Sequence, residues 1–327
     1  QAGSTGVVIP NDINITNGGF RCGGLIDFEL AGTITTIDGT TRGFGNYGLE
    51  GVDLTISGDI VTTTGGNVSF EGSNDRDNGT WTVTGDISGP ANVLVQNNLD
   101  NGEVTFTGTN TYLGTTVVNA GGTLYLNGSH ETGDNYTVNS GGVLGGTGST
   151  TSAVTVAAGG TLTPGVDTIG TLATGALTLN GDLAIDVDNT AGAAGTDWDQ
   201  VIVTGAVSVS NGSLIVSQSA TVEASPADIV IISNDDTDAV FGPFLSGDPF
   251  TANFLSSGLG GEVDYLGGDG NDIALTAAST NAIAAWRVVN FGSAANSGIG
   301  ENFSDAADSD GINNLLEFAF GTDPNAA

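Results

Sequence analysis

The residues best suited to chemistry lie near the C-terminus, in "DAADSDGINNLLEFAFG" over 305–321. Placing Gly311 at the sixth position of a twelve-residue cation loop puts Asp308 third, Asp310 fifth, Ile312 seventh through its carbonyl, Asn314 ninth and Glu317 twelfth. These are the hard oxygen donors that calcium prefers, and the glycine permits the sharp turn. The first position is Ala306 instead of an aspartate, so Asp305 or a water has to stand in for it. The expected metal ligands are therefore Asp308, Asp310, Ile312, Asn314 and Glu317, and the expected cofactor is Ca2+. The competing reading is an acidic N-cap: Asp308 and Asp310 favour the positive end of a helix running through "INNLLEFAF".

A second cation motif, "GGDGNDIAL" at 267–275, matches a calcium nonapeptide at Gly267, Gly268, Gly270 and Asp272. Such sites need stacked copies that share ions, and there is one copy, with Ala274 where a larger apolar residue is usual. A tight Gly-Asn turn in a closing hairpin is the simpler expectation. His130 is the single histidine, in polar "NGSHETGDN", and is expected to be solvated. Nucleophile–histidine arrangements are missing: there is no GxSxG, and no cysteine–histidine set can be built around Cys22, the one cysteine. Paired carboxylates of the glycosidase kind remain open among 37 acids.

Those residues need a scaffold, and composition indicates which kind. The chain has 327 residues, 54 of them Gly, 13% charged and 38% hydrophobic, with a mean hydropathy of +0.11. That profile is too apolar and too weakly charged for disorder. Val, Ile, Thr and Gly favour strands and tight turns. Four arginines against 37 acids give a net charge of −33. Nucleic acid, anionic membranes and uronic-acid polymers are poor partners for such a surface, whereas divalent cations are natural ones. No apolar span is long enough for membrane insertion. The sequence starts at Gln1 and lacks Met, so it reads as a chain trimmed of a signal peptide and exported. With one cysteine, no internal disulfide can form, so backbone ladders have to supply the stability.

A strand–turn–strand unit recurs: "TVVNAGGTLYLNG" (116–128), "YTVNSGGVLGGTG" (136–148), "VTVAAGGTLTPG" (154–165), "TLATGALTLNGDLAIDV" (171–187) and "VIVTGAVSVSNGSLIV" (201–216). A period of about 18–25 residues is that of a solenoid, in which each unit buries its apolar face only by stacking on its neighbours. The alternation predicts Val154, Val156, Leu162, Leu177 and Leu179 inside. A sandwich of antiparallel hairpins would use the same turns and is the competing architecture.

The run "TGTNTYLGTTVVNAGGTLYLNG", then "VNSGGVLGGTG", then "VTVAAGGTLTPGVDTIGTLATGALTLNGDLAIDV" resembles the autotransporter-associated β-strand repeat. The opening falls at Asn110–Tyr112, the glycine-rich coil at Gly141–Gly148 and the Leu-x-Pro-Gly coil at Leu162–Gly165. "WDQVIVTGAVSV" and "VDYLGGDGNDIALT" resemble closing coils, and the likeness covers about 98–276. It implies an all-β protein, a right-handed parallel β-helix or β-solenoid, secreted or displayed on a bacterial surface. The chain departs from complete autotransporters in containing no membrane-barrel domain. The loop at 305–321 resembles the dockerin or thrombospondin type-3 aspartate loops of secreted bacterial proteins.

The expected organisation is an N-terminal β region at 1–97 made of a cap and early coils, the solenoid at 98–276, and a small helical segment at 277–327 that includes "TNAIAAWRVVNFG" and the aspartate loop. "GVVIPNDINIT" at 6–16, which includes Pro10, is expected to be a cap or a free strand. The function expected is structural and not enzymatic: an extracellular subunit that assembles with itself, head to tail, into a surface fibre or matrix. A monomeric adhesin or carbohydrate-binding module that recognises surface polysaccharide is the alternative, and a carbohydrate-active enzyme the third. A row of exposed aromatics would favour binding.

Overall fold

A computed structural model of the chain describes residues 6–278, without 17, 23–26, 37–40, 47–52, 72–79, 97–101, 167, 190–191, 219–228, 236–237, 247–249 and 255–258. The described residues are all-β. Short strands repeat in threes, and each third strand joins the same sheet, so three sheets run along the described coil. The first and third sheets each hold 10 strands, and the second holds 13. Pairing between rungs is parallel from Val7–Ile9 in the first sheet to Val240–Phe241 in the third. This is a β-solenoid of ten rungs, and hairpin pairing does not appear until its C-terminal end. The sheets pass residue 97 without interruption: Thr80–Val83 pairs with Gly102–Phe106, and Asn92–Gln96 with Thr116–Val118.

Why these residues coil follows from two periodicities. Within a strand, alternate side chains point inward, and Val154, Val156, Leu162, Leu177 and Leu179 are all buried as the alternation requires. Between rungs, like stacks on like. Leu144, Leu162, Leu183 and Leu214 form one aliphatic column of the first sheet. Nearer the N-terminus the interior is aromatic: Phe44 stacks on Phe70 at 5.5 Å, Phe70 meets Phe106 edge-on at 5.3 Å, and Trp81 presents its edge to both Phe44 and Phe70. Trp81 Nε1 is buried without a hydrogen-bond partner, a cost that the ring contacts offset.

The corner between the first and second sheets is a column of glycines. A Cβ on Gly58 would lie 2.0 Å from the carbonyl oxygen of Gly32, on Gly85 2.2 Å from that of Gly58, on Gly128 2.1 Å from that of Gly108, and on Gly148 2.0 Å from that of Gly128. Rungs about 4.8 Å apart leave no room for a methyl group where the chain bends over the preceding bend.

The solenoid closes differently from the way it begins. Its last strand in the second sheet, Ile229–Asn234, pairs antiparallel with Asp272–Ala278, which pairs in turn with Leu259–Gly267, and that strand with Phe250–Phe254. The "VDYLGGDGNDIALT" segment expected as a closing coil is thus a hairpin laid against the second sheet. At the other end, Val7–Ile9 and Ile13–Ile15 pair with Phe28–Leu30 and Ile34–Thr36. Residues 7–15 are therefore the first rung and not a cap or a free strand. The helical segment expected at 277–327 lies outside the described residues beyond Ala278.

Candidate functional site

The residues singled out for chemistry have different fates. Asp308, Asp310, Ile312, Asn314 and Glu317 lie outside the described residues. The "GGDGNDIAL" motif is a hairpin turn, with Gly267 opposite Asp272 and positive φ at Gly268 (58°) and Gly270 (113°). Its Asp272 carboxylate is committed to structure, accepting from the backbone N–H of Asn234 at 2.8 Å. Asn271 Nδ2 donates to the carbonyls of Asp235 and Asp238. The motif works as the tight closing turn, because no second copy stacks on it. Among the described residues, no group of three or more His, Cys, Asp or Glu side chains is placed to hold a metal ion.

His130 overturns the expectation of a solvated side chain. It lies on the strand Ser129–His130 of the second sheet, fully buried. The repeat register explains why. Asn110, His130 and Thr150 are aligned on successive rungs, 20 residues apart, all pointing into the interior. The surrounding polar letters belong to corners and outward positions. Aligning "TNTYLGTT" over "SHETGDNY" at that spacing would have shown His130 beneath an interior asparagine.

The histidine anchors a polar cluster inside the coil. His130 Nδ1 is 2.9 Å from the Tyr136 hydroxyl, and Nε2 is 2.9 Å from the Tyr112 carbonyl oxygen. The Tyr112 hydroxyl is 2.5 Å from Thr116 Oγ1 and 3.3 Å from the Tyr136 hydroxyl. The imidazole also stacks on the Tyr112 ring, with centroids 3.8 Å apart. A carbonyl can only accept, so Nε2 carries the proton; a neutral ring then accepts at Nδ1 from Tyr136. Burial lowers the imidazole's pKa, against a smaller raising effect of the Tyr112 carbonyl and of Glu131. Burial raises both phenols, Tyr136 to about 12 and Tyr112 well above the ordinary tyrosine value. All three rings are therefore neutral at pH 7. Gly133, with φ +115°, covers the imidazole: a Cβ there would sit 2.8 Å from Nε2. The cluster's polar groups are partnered and its three rings are fully buried, the arrangement of a structural knot.

The described carboxylates whose bonds are defined are largely ladder caps. Asp12 accepts from the N–H of Thr33 at 2.9 Å, Asp59 from that of Asp86 at 3.0 Å, and Asp86 from that of Thr109 at 2.7 Å. Asp59 and Asp86 can stack on adjacent rungs at an exposed corner because each accepts from the rung above. Asp199 is the buried exception. It accepts from Gly170 N at 2.8 Å and Asp186 N at 2.9 Å, yet burial, with smaller contributions from Asp186 and Asp188, pushes it up to about 6. It ties Gly170 and the strand Asp182–Val187 together at the start of Gln200–Val203.

The surface that remains for function is the solenoid's ends and faces. The first rung forms one edge of every sheet, with no further strand beyond it among the described residues. Val7 and Val8 are 40% and 52% exposed there. Ile202, Ile215, Phe241, Leu245 and Leu266 are exposed toward the far end, and Leu113 is exposed in mid-coil. Phe241 is the one aromatic among the exposed large apolar side chains described. No family model matches the chain, and no curated protein matches it.

Proposed function

We propose that this protein is a subunit of an extracellular fibre or matrix, built from autotransporter-type β-strand repeats and joined head to tail. The observation that carries the reading is the first rung: among the described residues its three short strands form the outer edge of every sheet, and Val7 and Val8 are exposed on one of them. An open ladder end is a template for another strand, and natural proteins usually blunt such edges with charge or proline. Pro10 follows Val7–Ile9 without interrupting it. A second copy added at this end continues the ladders, and a heterologous contact of that kind grows into a filament instead of closing. Divalent cations would moderate the repulsion between copies of charge −33.

The test is a double substitution, Val7→Glu with Val8→Glu, at exposed positions that the core does not need. Light scattering and negative-stain microscopy should show filaments from the native sequence and none from the variant, with unchanged far-UV circular dichroism. Filaments forming from the variant at the native rate would refute assembly through this edge.

A further inference from the structure

We infer that the outward face of the third sheet is a lateral contact between two copies of this chain, a reading that rests on the proposed assembly. The face is distinguished by what it lacks. Five successive passes of the chain over this face and the corner after it, at 114–122, 135–142, 152–160, 175–181 and 205–212, contain no charged residue, whereas earlier strands of the same sheet carry Arg21, Arg42 and Glu71. The same molecule carries 37 acids, and described ones such as Glu29, Asp53, Asp59, Asp86 and Asp182 fall on other faces and corners. In a protein of net charge −33, approach through any acidic face sets like charges within a Debye length of about 8–10 Å. This face is where two copies meet with least repulsion.

What the face offers is regular. Val117, Thr137, Thr155, Thr178 and Ser208 lie in strict register on five successive rungs, all outward and half-buried, and the column ends on exposed Phe241. Beside it runs an amide rank: Asn139 Nδ2 donates to Asn119 Oδ1 at 2.8 Å, and Asn211 Nδ2 to Asn180 Oδ1 at 3.1 Å. Hydroxyls and amides both donate and accept, so the face is complementary to itself, as a twofold contact requires. Greatest overlap of the column with its own copy puts the axis at Thr155, which then faces the partner's Thr155.

Size decides what such a contact does. Five rungs about 4.8 Å apart and a strip about 20 Å wide give roughly 500 Å² per copy. Stable complexes bury about 800 Å² per partner. One pair of subunits therefore associates weakly, whereas two filaments that repeat the contact along their length associate firmly by multivalency. The face makes bundles out of filaments.

Cysteine cross-linking reads the contact with or without filaments. In a Cys22→Ser background, Thr155→Cys is compared with Thr82→Cys on the outward face of the first sheet. The expected result is disulfide dimer forming at least several-fold faster at position 155, and faster still in high salt. Equal rates at the two positions overturn the inference, whatever light scattering shows of filament growth. Filaments absent while the preference for position 155 persists would instead overturn the head-to-tail reading and leave the face standing. Equal rates, with binding to a neutral glucan that Thr155→Glu abolishes, would assign the face to polysaccharide and overturn the pairing of copies.

Discussion

The glycine column at the first corner makes a quantitative prediction. In Gly128→Ala the new methyl group would lie 2.1 Å from the Gly108 carbonyl oxygen. That is about 1 Å inside ordinary contact, and the atom it meets is backbone, which cannot swing aside. The rungs must part locally. Two backbone hydrogen bonds hold them there, Gly128 N to Phe106 O at 2.8 Å and Ser129 N to Gly108 O at 3.1 Å. Losing both costs about 1 kcal/mol each, and overpacking adds about 1–3 kcal/mol, so the substitution should destabilise by about 3–5 kcal/mol. Gly65→Ala is the internal control, because no heavy atom lies within 4 Å of its Cβ position and its φ is not left-handed. That change should stabilise by about 0.4–1 kcal/mol through the unfolded chain. Urea unfolding followed by circular dichroism measures both. Equal midpoints for the two variants would refute the argument that a closed corner, and not generic glycine flexibility, sets the requirement.

His130, buried neutral, titrates at lower pH folded than unfolded, so its contribution is complete above about 6.5 and is lost as pH falls below it, by at most about 1.4 kcal/mol per pH unit; the stability difference between the native chain and His130→Gln should narrow from pH 7.5 to pH 5, and a constant difference would refute the buried neutral assignment. Asp199→Ala leaves the N–H groups of Gly170 and Asp186 without their acceptor and should cost about 2–4 kcal/mol at pH 7 in urea titration. Leu162→Ala empties a fully buried place in the aliphatic column and should cost about 2–5 kcal/mol, with hydrogen exchange quickening first in the rungs on either side. Calorimetric titration of the full chain with Ca2+ should show a heat that Glu317→Gln reduces; identical heats for both would remove Asp308, Asp310, Ile312, Asn314 and Glu317 as a site.

The sequence by itself determined the repeating unit. Alternation of Val154 and Val156, and of Leu177 and Leu179, requires one face inside, and Gly-Gly and Asn-Gly pairs require corners. A unit too small to bury its own apolar face must stack. The same letters did not decide between parallel rungs and antiparallel hairpins, because both use alternating strands and glycine turns. The tertiary structure decided it rung by rung, and gave both answers: parallel coils up to Val240–Phe241, then antiparallel strands from Phe250–Phe254 onward. Nor could local composition place His130, since "NGSHETGDN" is polar throughout. Whether a polar residue faces water or the interior of a solenoid depends on which residue lies one rung below, and Asn110 is 20 residues away. The charge-free face has the same origin. Each neutral segment is unremarked along the chain, and the coil brings five of them to one side because side-chain direction repeats with each rung.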